Sequence, residues 1–240
     1  MSKFQRPVDL PFPLVYHTFL AKDKESDEIV EYRIQDLLEE GFEQAIELMA
    51  RDYSPEETFS RCRGIVIDPS AFEEIHGFWR ESLKEKISVA CYKNDESGDL
   101  VGVNILAVGV KGYSPKIDLK TKPVQDLFKL FRFIESHHDV YEKYKVDKFL
   151  FDFGLVTKRD YRYRGIATEF LKARVSVMKS FGLTVTSTVF TVIGSQKAAL
   201  KAGYEEIFSV KWSDIQEQFP NFDFSISFSE FCKIMDLKIK

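Results

Sequence analysis

The sequence predicts one α/β (α+β) domain built on a central mixed sheet. Three observations carry that expectation. Stretches with apolar residues at every second position interleave with stretches whose apolar residues recur at three and four, so strands and helices alternate along the chain. The strongest strand signal, Phe149-Leu-Phe-Asp-Phe-Gly-Leu-Val156, runs through a basic turn into a helical pattern. The chain has 240 residues, 44% hydrophobic and 30% charged, which is globular and long enough to bury on the order of 70% of its unfolded surface.

Residues 1–27 read as an N-terminal extension, proline-rich and then charged from Lys22 to Asp27. One strand over 14–20 pairs with 29–34 across the charged turn. From Ile34 the period changes: Leu38, Phe42, Ala45, Ile46 and Met49 mark one helix face, and Pro55 ends or bends that helix. Residues 71–86 form a second helix with Phe72, Ile75, Trp79 and Leu83 on one face. Ile87, Val89 and Cys91 alternate, Asn94 to Asp99 is a turn by composition, and Val101, Val103, Ile105 and Ala107 alternate again, an antiparallel hairpin.

Residues 110–123 form a Gly/Pro/Lys-rich loop, and Leu127, Leu130, Phe131 and Ile134 are the next helical stripe. After the long strand, a helix runs from Gly165 to Phe181 and closes at Gly182, a favourable C-terminal cap. Leu183, Val185, Ser187 and Val189 alternate on a strand. Ser195 reads as the cap of a short helix that ends at Gly203. Strands near 205–212 and 224–232 complete the chain, joined by a loop or helical turn. With no internal repeat or linker, 28–240 reads as a single domain.

Several function classes drop out. With 34 basic and 38 acidic side chains the net charge is −4, so nothing global attracts nucleic acid or an anionic membrane. No run of about 18 apolar residues is present to span a bilayer. The polar, proline-broken opening has no signal-peptide core, and neither end carries a lipidation signal, which predicts a cytoplasmic protein. Cys62, Cys91 and Cys232 make no CxxC pair and no zinc spacing, which predicts buried reduced thiols and no metal.

The segment that carries chemistry is the turn Arg162-Tyr-Arg-Gly-Ile-Ala167. Unpaired N–H groups at a helix start, with the positive end of the helix dipole, make an anion site. Gly165 lets a phosphate approach the backbone, Ala167 leaves room beside it, and Lys158, Arg159, Arg162 and Arg164 add a local positive field. A pyrophosphate suits such a turn. The plainer reading is a solvated basic cap. A nucleic-acid patch with interleaved tyrosines is disfavoured by the overall acidity and the shortness of the cluster.

The ordered set of a long strand, Arg162 to Ala167, a helix, a strand and then Ser195-Gln-Lys-Ala-Ala-Leu-Lys-Ala-Gly-Tyr204 resembles the GNAT superfamily of N-acetyltransferases. Arg162 to Ala167 match its acetyl-CoA signature, [Q/R]-x-x-G-x-[G/A]. The whole arrangement, over residues 28–240 and most strongly over 149–204, is similar to the insect arylalkylamine (dopamine) N-acetyltransferases.

The resemblance implies a mostly antiparallel sheet in which two parallel strands, 149–156 and 183–190, splay apart around acetyl-CoA. Backbone groups near Leu155 and Val156 would hold the pantetheine arm. The N–H groups from Arg162, Tyr163, Arg164, Gly165, Ile166 and Ala167 would hold the pyrophosphate. A small amine attacks the thioester directly, with no metal and no acyl-enzyme. The family's base is the glutamate of an Asp-Glu-Pro-Leu segment, which corresponds here to Pro55-Glu-Glu-Thr-Phe59. Glu57 takes the base position and Glu56 lies beside it. Two adjacent carboxylates in a cleft would raise each other's pKa, whereas the plain alternative is a pair of exposed helix-start acids. Thr58 replaces the family proline.

The family's two serines correspond to Thr191 and Ser195, with proton relay and helix capping as competing roles. The tyrosine acid of many superfamily members is missing at Ala199–Leu200. Phe128, Phe131, Phe133, Trp79 and Tyr113 read as core or as an aromatic-amine pocket. His137 and His138 read as exposed cap residues, and His17 and His76 show no partner. The expected product is an N-acetylated arylalkylamine such as that of dopamine, serotonin or tyramine, made by a monomer or weak dimer. A polyamine or protein-lysine acceptor, or a non-catalytic acyl-CoA binder suggested by Thr58 and Thr191, are the alternatives.

Overall fold

A computed structural model describes residues 4–23, 26–95 and 97–239. Residues 1–3, 24 and 25 of the expected extension, and Glu96 of the expected turn, lie outside the described residues. Eight strands form one sheet: β1 (Val15–Lys22), β2 (Ile29–Asp36), β3 (Val89–Lys93), β4 (Leu100–Val110), β5 (Lys148–Thr157), β6 (Val185–Phe190), β7 (Glu205–Lys211) and β8 (Phe231–Lys238), in the order β1-β2-β3-β4-β5-β6-β8-β7. Every neighbouring pair is antiparallel except β5 and β6. The expected pairing of the first two strands is present, so part of the N-terminal segment belongs to the sheet.

The helices are α1 (Phe42–Leu48), α2 (Thr58–Arg63), α3 (Pro69–Leu83), α4 (Lys122–Glu135), α5 (Val140–Tyr144), α6 (Ile166–Ser180), α7 (Ile193–Lys201) and α8 (Trp212–Ile215). α1 widens at its end into a π turn, Met49–Tyr53. One face of the sheet packs on α1 to α4 through Ile46, Phe59, Trp79, Leu130, Val103 and Ile105. The other packs on α6 through Phe170, Val177, Leu106 and Leu150. Both faces are covered, so β4 is buried continuously from Leu100 to Val108. The register shift opposite Cys91 puts Val101 on the α6 face, away from Val103 and Ile105 with which simple alternation grouped it.

Several expectations need correction. The last strand begins at Phe231. Residues Phe224–Ile226 form a 3₁₀ turn, because Phe224 stacks on Trp212 and Phe222 at centroid distances of 4.9 and 5.4 Å and is drawn into the core. α7 starts before Ser195, whose hydroxyl donates back to the Val192 carbonyl (2.8 Å) and caps no amide. His138 is not an exposed cap: its side chain is buried against Asp236 of β8, 2.6 Å away, whereas His137 stacks on Phe208 near the surface. His17 and His76 also have partners, Glu169 at 2.7 Å and Glu73 at 3.7 Å. Among the described residues no helix is long and apolar enough to cross a membrane.

Candidate active site

β5 and β6 are hydrogen-bonded in parallel only around Leu150 and Thr186, and beyond that point they diverge. The divergence opens a cavity of about 1190 Å3 that passes through the sheet. Leu155 and Val156 line it from β5; Phe190, Thr191 and Ser195 line it from the other side. A bulge in β5 opposite Ile105 and Leu106 sharpens the divergence. Gly154, at φ +144°, lets the π turn press close: a Cβ there would lie 2.5 Å from Met49 Cε and 3.0 Å from the Tyr53 ring.

Glu57 is placed by α2. As N-cap residue its carboxylate accepts the amides of Phe59 (2.9 Å) and Ser60 (2.7 Å). The Thr191 hydroxyl donates to the same carboxylate at 2.9 Å. Glu57 is 5% exposed and lines the cavity. Burial pushes its pKa up, opposed by the two amides and the Thr191 hydroxyl. Their own burial, reinforced by the Glu57 charge, holds the Tyr53 phenol and the Cys232 thiol protonated. Burial likewise pushes Cys62 up to about 12 and raises Cys91, so all three thiols are poor nucleophiles. Thr58, the departure from the family proline, occupies the first turn of α2 and its hydroxyl donates to the Thr191 carbonyl (2.8 Å). It thereby ties the carboxylate's helix to the end of β6.

Glu56 does not join Glu57 in a carboxylate pair. Its side chain turns to Arg162 (2.6 Å) and Arg159 (3.3 Å). Arg162 also donates to the carbonyls of Thr157 and Asp52. The positive field expected of the turn is therefore largely offset locally, and Arg164 is turned away from the cavity onto Asp23 and Tyr32. Arg162, Tyr163, Gly165, Ile166 and Ala167 of the turn line the cavity. Tyr163 (φ +67°) and Gly165 (φ +80°) are both left-handed, a concavity that aims successive N–H groups one way. No side chain caps α6, and a Cβ on Gly165 would meet nothing within 4 Å. Such a turn fits an anion of pyrophosphate size.

Sequence reasoning missed a buried polar network beside the divergence. Arg174 of α6 is fully buried; it pairs with Asp152 of β5 and donates to Asn104 Oδ1 of β4 (3.0 Å) and Thr188 Oγ1 of β6 (2.8 Å). Asn104 Nδ2 in turn donates to Asp152 (2.9 Å). One guanidinium thus spans both splayed strands. Its signal was present: Arg174 falls in the stripe Ile166, Phe170, Ala173, Val177, where an apolar residue is expected.

This fold, with one parallel pair among its described strands opening onto an aromatic cavity, matches solved structures over most or nearly all of its length. The chain is 32% identical to the protein assigned as arylalkylamine N-acetyltransferase 7 of the yellow fever mosquito Aedes aegypti, with a TM-score of 0.93, covering 99% of this chain and 100% of that one. The chain belongs to the insect arylalkylamine N-acetyltransferase family. It is an acyltransferase with the GNAT fold. Two further structures share that fold: arylalkylamine N-acetyltransferase 2 of Aedes aegypti, at 17% identity and TM-score 0.76 over 87% of this chain and 99% of that one, and a Drosophila melanogaster polyamine N-acetyltransferase, at 14% identity and TM-score 0.69 over 87% and 100%. No family model and no curated protein sequence matches the chain.

In this acetyltransferase Phe128, Phe131, Trp79 and Tyr113 line the cavity, and Phe133 packs outside it against Phe219 and His137. Glu56, Glu57, Thr191, Ser195, Leu155, Val156, Arg162, Tyr163, Gly165, Ile166 and Ala167 line one continuous space, and Arg164 is not among its lining residues.

Proposed function

We propose that the chain transfers the acetyl group of acetyl-CoA to the primary amine of an arylalkylamine. The observation that carries this reading is the buried Glu57 carboxylate, hydrogen-bonded by Thr191 and facing the divergence of β5 and β6. An amine with a pKa near 10 arrives as an ammonium, and a carboxylate with a raised pKa is a better base for it than an ordinary one. Glu57 takes that proton, directly or through one water. The amine nitrogen forms its bond to the acetyl carbon, the carbon–sulfur bond breaks, and the second proton that the nitrogen sheds passes through the Ser195 hydroxyl or a water to the departing thiolate. The uncapped turn at Tyr163 to Ala167 holds the pyrophosphate, and the free edges of Leu155 and Val156 align the pantetheine arm. Most of the rate advantage expected of such a site is positioning, on the order of 7–11 kcal/mol for well-aligned reactants.

Phe128, Phe131, Phe153 and Trp79 give the cavity its aromatic walls and favour a ring-bearing acceptor. Glu57→Gln tests the assignment: turnover at pH 7 falls by roughly 10²–10⁴-fold, the range of general base catalysis, and acetyl-CoA affinity measured by calorimetry is retained. Unchanged turnover removes Glu57 from the mechanism.

A further inference from the structure

The far end of the cavity holds a feature that the acetyl transfer does not use. Phe128, Phe131, Arg132 and Glu135 all line the cavity from α4, a spacing that puts them on one helix face. The Phe131 ring packs at 4.5 Å on that of Phe59, whose amide donates to Glu57, so Phe131 marks the reacting end. Glu135 lies one turn further along, about 6 Å at 1.5 Å per residue. Opposite it stand Tyr141 and Phe149, in edge contact at 5.2 Å.

Among the described residues the Glu135 carboxylate makes no hydrogen bond and no ion pair. Glu135 is solvent-exposed, with its surface open to the cavity, and the neighbouring protein walls push its carboxyl up to about 7 against the opposing charge of Arg132. An unpartnered carboxylate on the same helix face as Phe128 and Phe131, beside Tyr141, offers a free acceptor to whatever occupies the cavity.

We infer that Glu135 accepts a hydrogen bond from a ring hydroxyl at the far end of the acceptor, so that hydroxylated arylalkylamines are selected over unsubstituted ones. The inference rests on the acetyltransferase reading above. Aromatic walls favour a ring over an alkyl chain. Arg132, one turn back on the same face, opposes a second cation beside Glu135, so a neutral hydroxyl fits better than a distal ammonium.

The test is the ratio of kcat/KM within two matched acceptor pairs, tyramine against phenethylamine and 1,5-diaminopentane against hexylamine, for wild type, Glu135→Gln and Glu135→Leu. Equilibrium binding of the four amines is measured alongside. A hydrogen bond to a charged group predicts tyramine favoured by roughly 10- to 100-fold, chiefly through KM. The ratio collapses towards one in Glu135→Leu and is partly kept in Glu135→Gln, whose carbonyl still accepts. A wild-type ratio near one, or a ratio untouched by Glu135→Leu, overturns the inference. Preference for the diamine over hexylamine, lost equally in both variants, overturns it in favour of a cation. Failure of the acetyltransferase reading shows differently, as no thiol release with any amine, and the binding ratio then decides on Glu135 by itself.

Discussion

Replacing Arg174 by Met tests whether the divergence of β5 and β6 is held by a buried charge. The change removes the guanidinium and leaves Asp152, whose side chain is 7% exposed, with only Asn104 Nδ2 as a side-chain donor among the described residues. Stranding one member of a buried pair costs about 3–5 kcal/mol, a large part of the roughly 5–15 kcal/mol that holds a domain folded. At roughly 2–4 °C per kcal/mol for a chain of this size, the melting temperature falls by about 6–20 °C. The companion variant Arg174→Met/Asp152→Leu removes both charges and recovers most of that loss, because no uncompensated carboxylate remains. Urea unfolding of wild type, single and double variants at pH 7 gives the three free energies. If the strands are held apart by this pair, the refolded double variant still shows a raised KM for acetyl-CoA. A single-variant loss under about 1 kcal/mol, or a double variant no more stable than the single, refutes the reasoning.

Other outcomes follow from the same geometry. Gly165→Asp forces a side chain into a left-handed backbone and adds a negative charge to the turn; acetyl-CoA binding by calorimetry is expected to fall below detection with the fold intact by circular dichroism. Thr191→Val removes a donor from the Glu57 carboxylate, which disfavours its charged form. The acidic limb of kcat/KM, which rises with pH as Glu57 loses its proton, then moves up by about one pH unit. Glu135 binds its proton more tightly folded than unfolded, so its stabilising contribution is complete below the ordinary carboxylate range and is lost as pH rises through about 7. Because Glu135 is exposed and solvent screens this effect, Glu135→Gln raises the melting temperature only slightly at pH 8 and leaves it unchanged at pH 4.

Much of the fold was legible because period and punctuation agreed. The hairpin of β3 and β4, the long β5, and α6 closing at Gly182 follow from alternation, helical spacing and a left-handed glycine. The short helices α2 and α5 were invisible: six and five residues carry too little periodicity, and α2 exists largely because Glu57 caps it. The strand expected at 224–232 failed because Phe224 is apolar for the sake of ring stacking with Trp212. At the candidate site, the turn was singled out by a local motif and Glu57 by the resemblance to the family, and both line the cavity. Glu56 with Arg162, His138 with Asp236, and Arg174 with Asp152 were not, because each pair joins residues far apart in sequence, and sequence spacing says nothing about such contacts.

The most direct measurement is release of the CoA thiol from acetyl-CoA, run against tyramine, dopamine, serotonin, tryptamine, spermidine and a lysine peptide. The account predicts release with the aromatic amines and little with spermidine or the peptide. Release confined to spermidine or the peptide would contradict the acceptor assignment, and the absence of both thiol release and acetyl-CoA binding would contradict the reading of Arg162 to Ala167 itself.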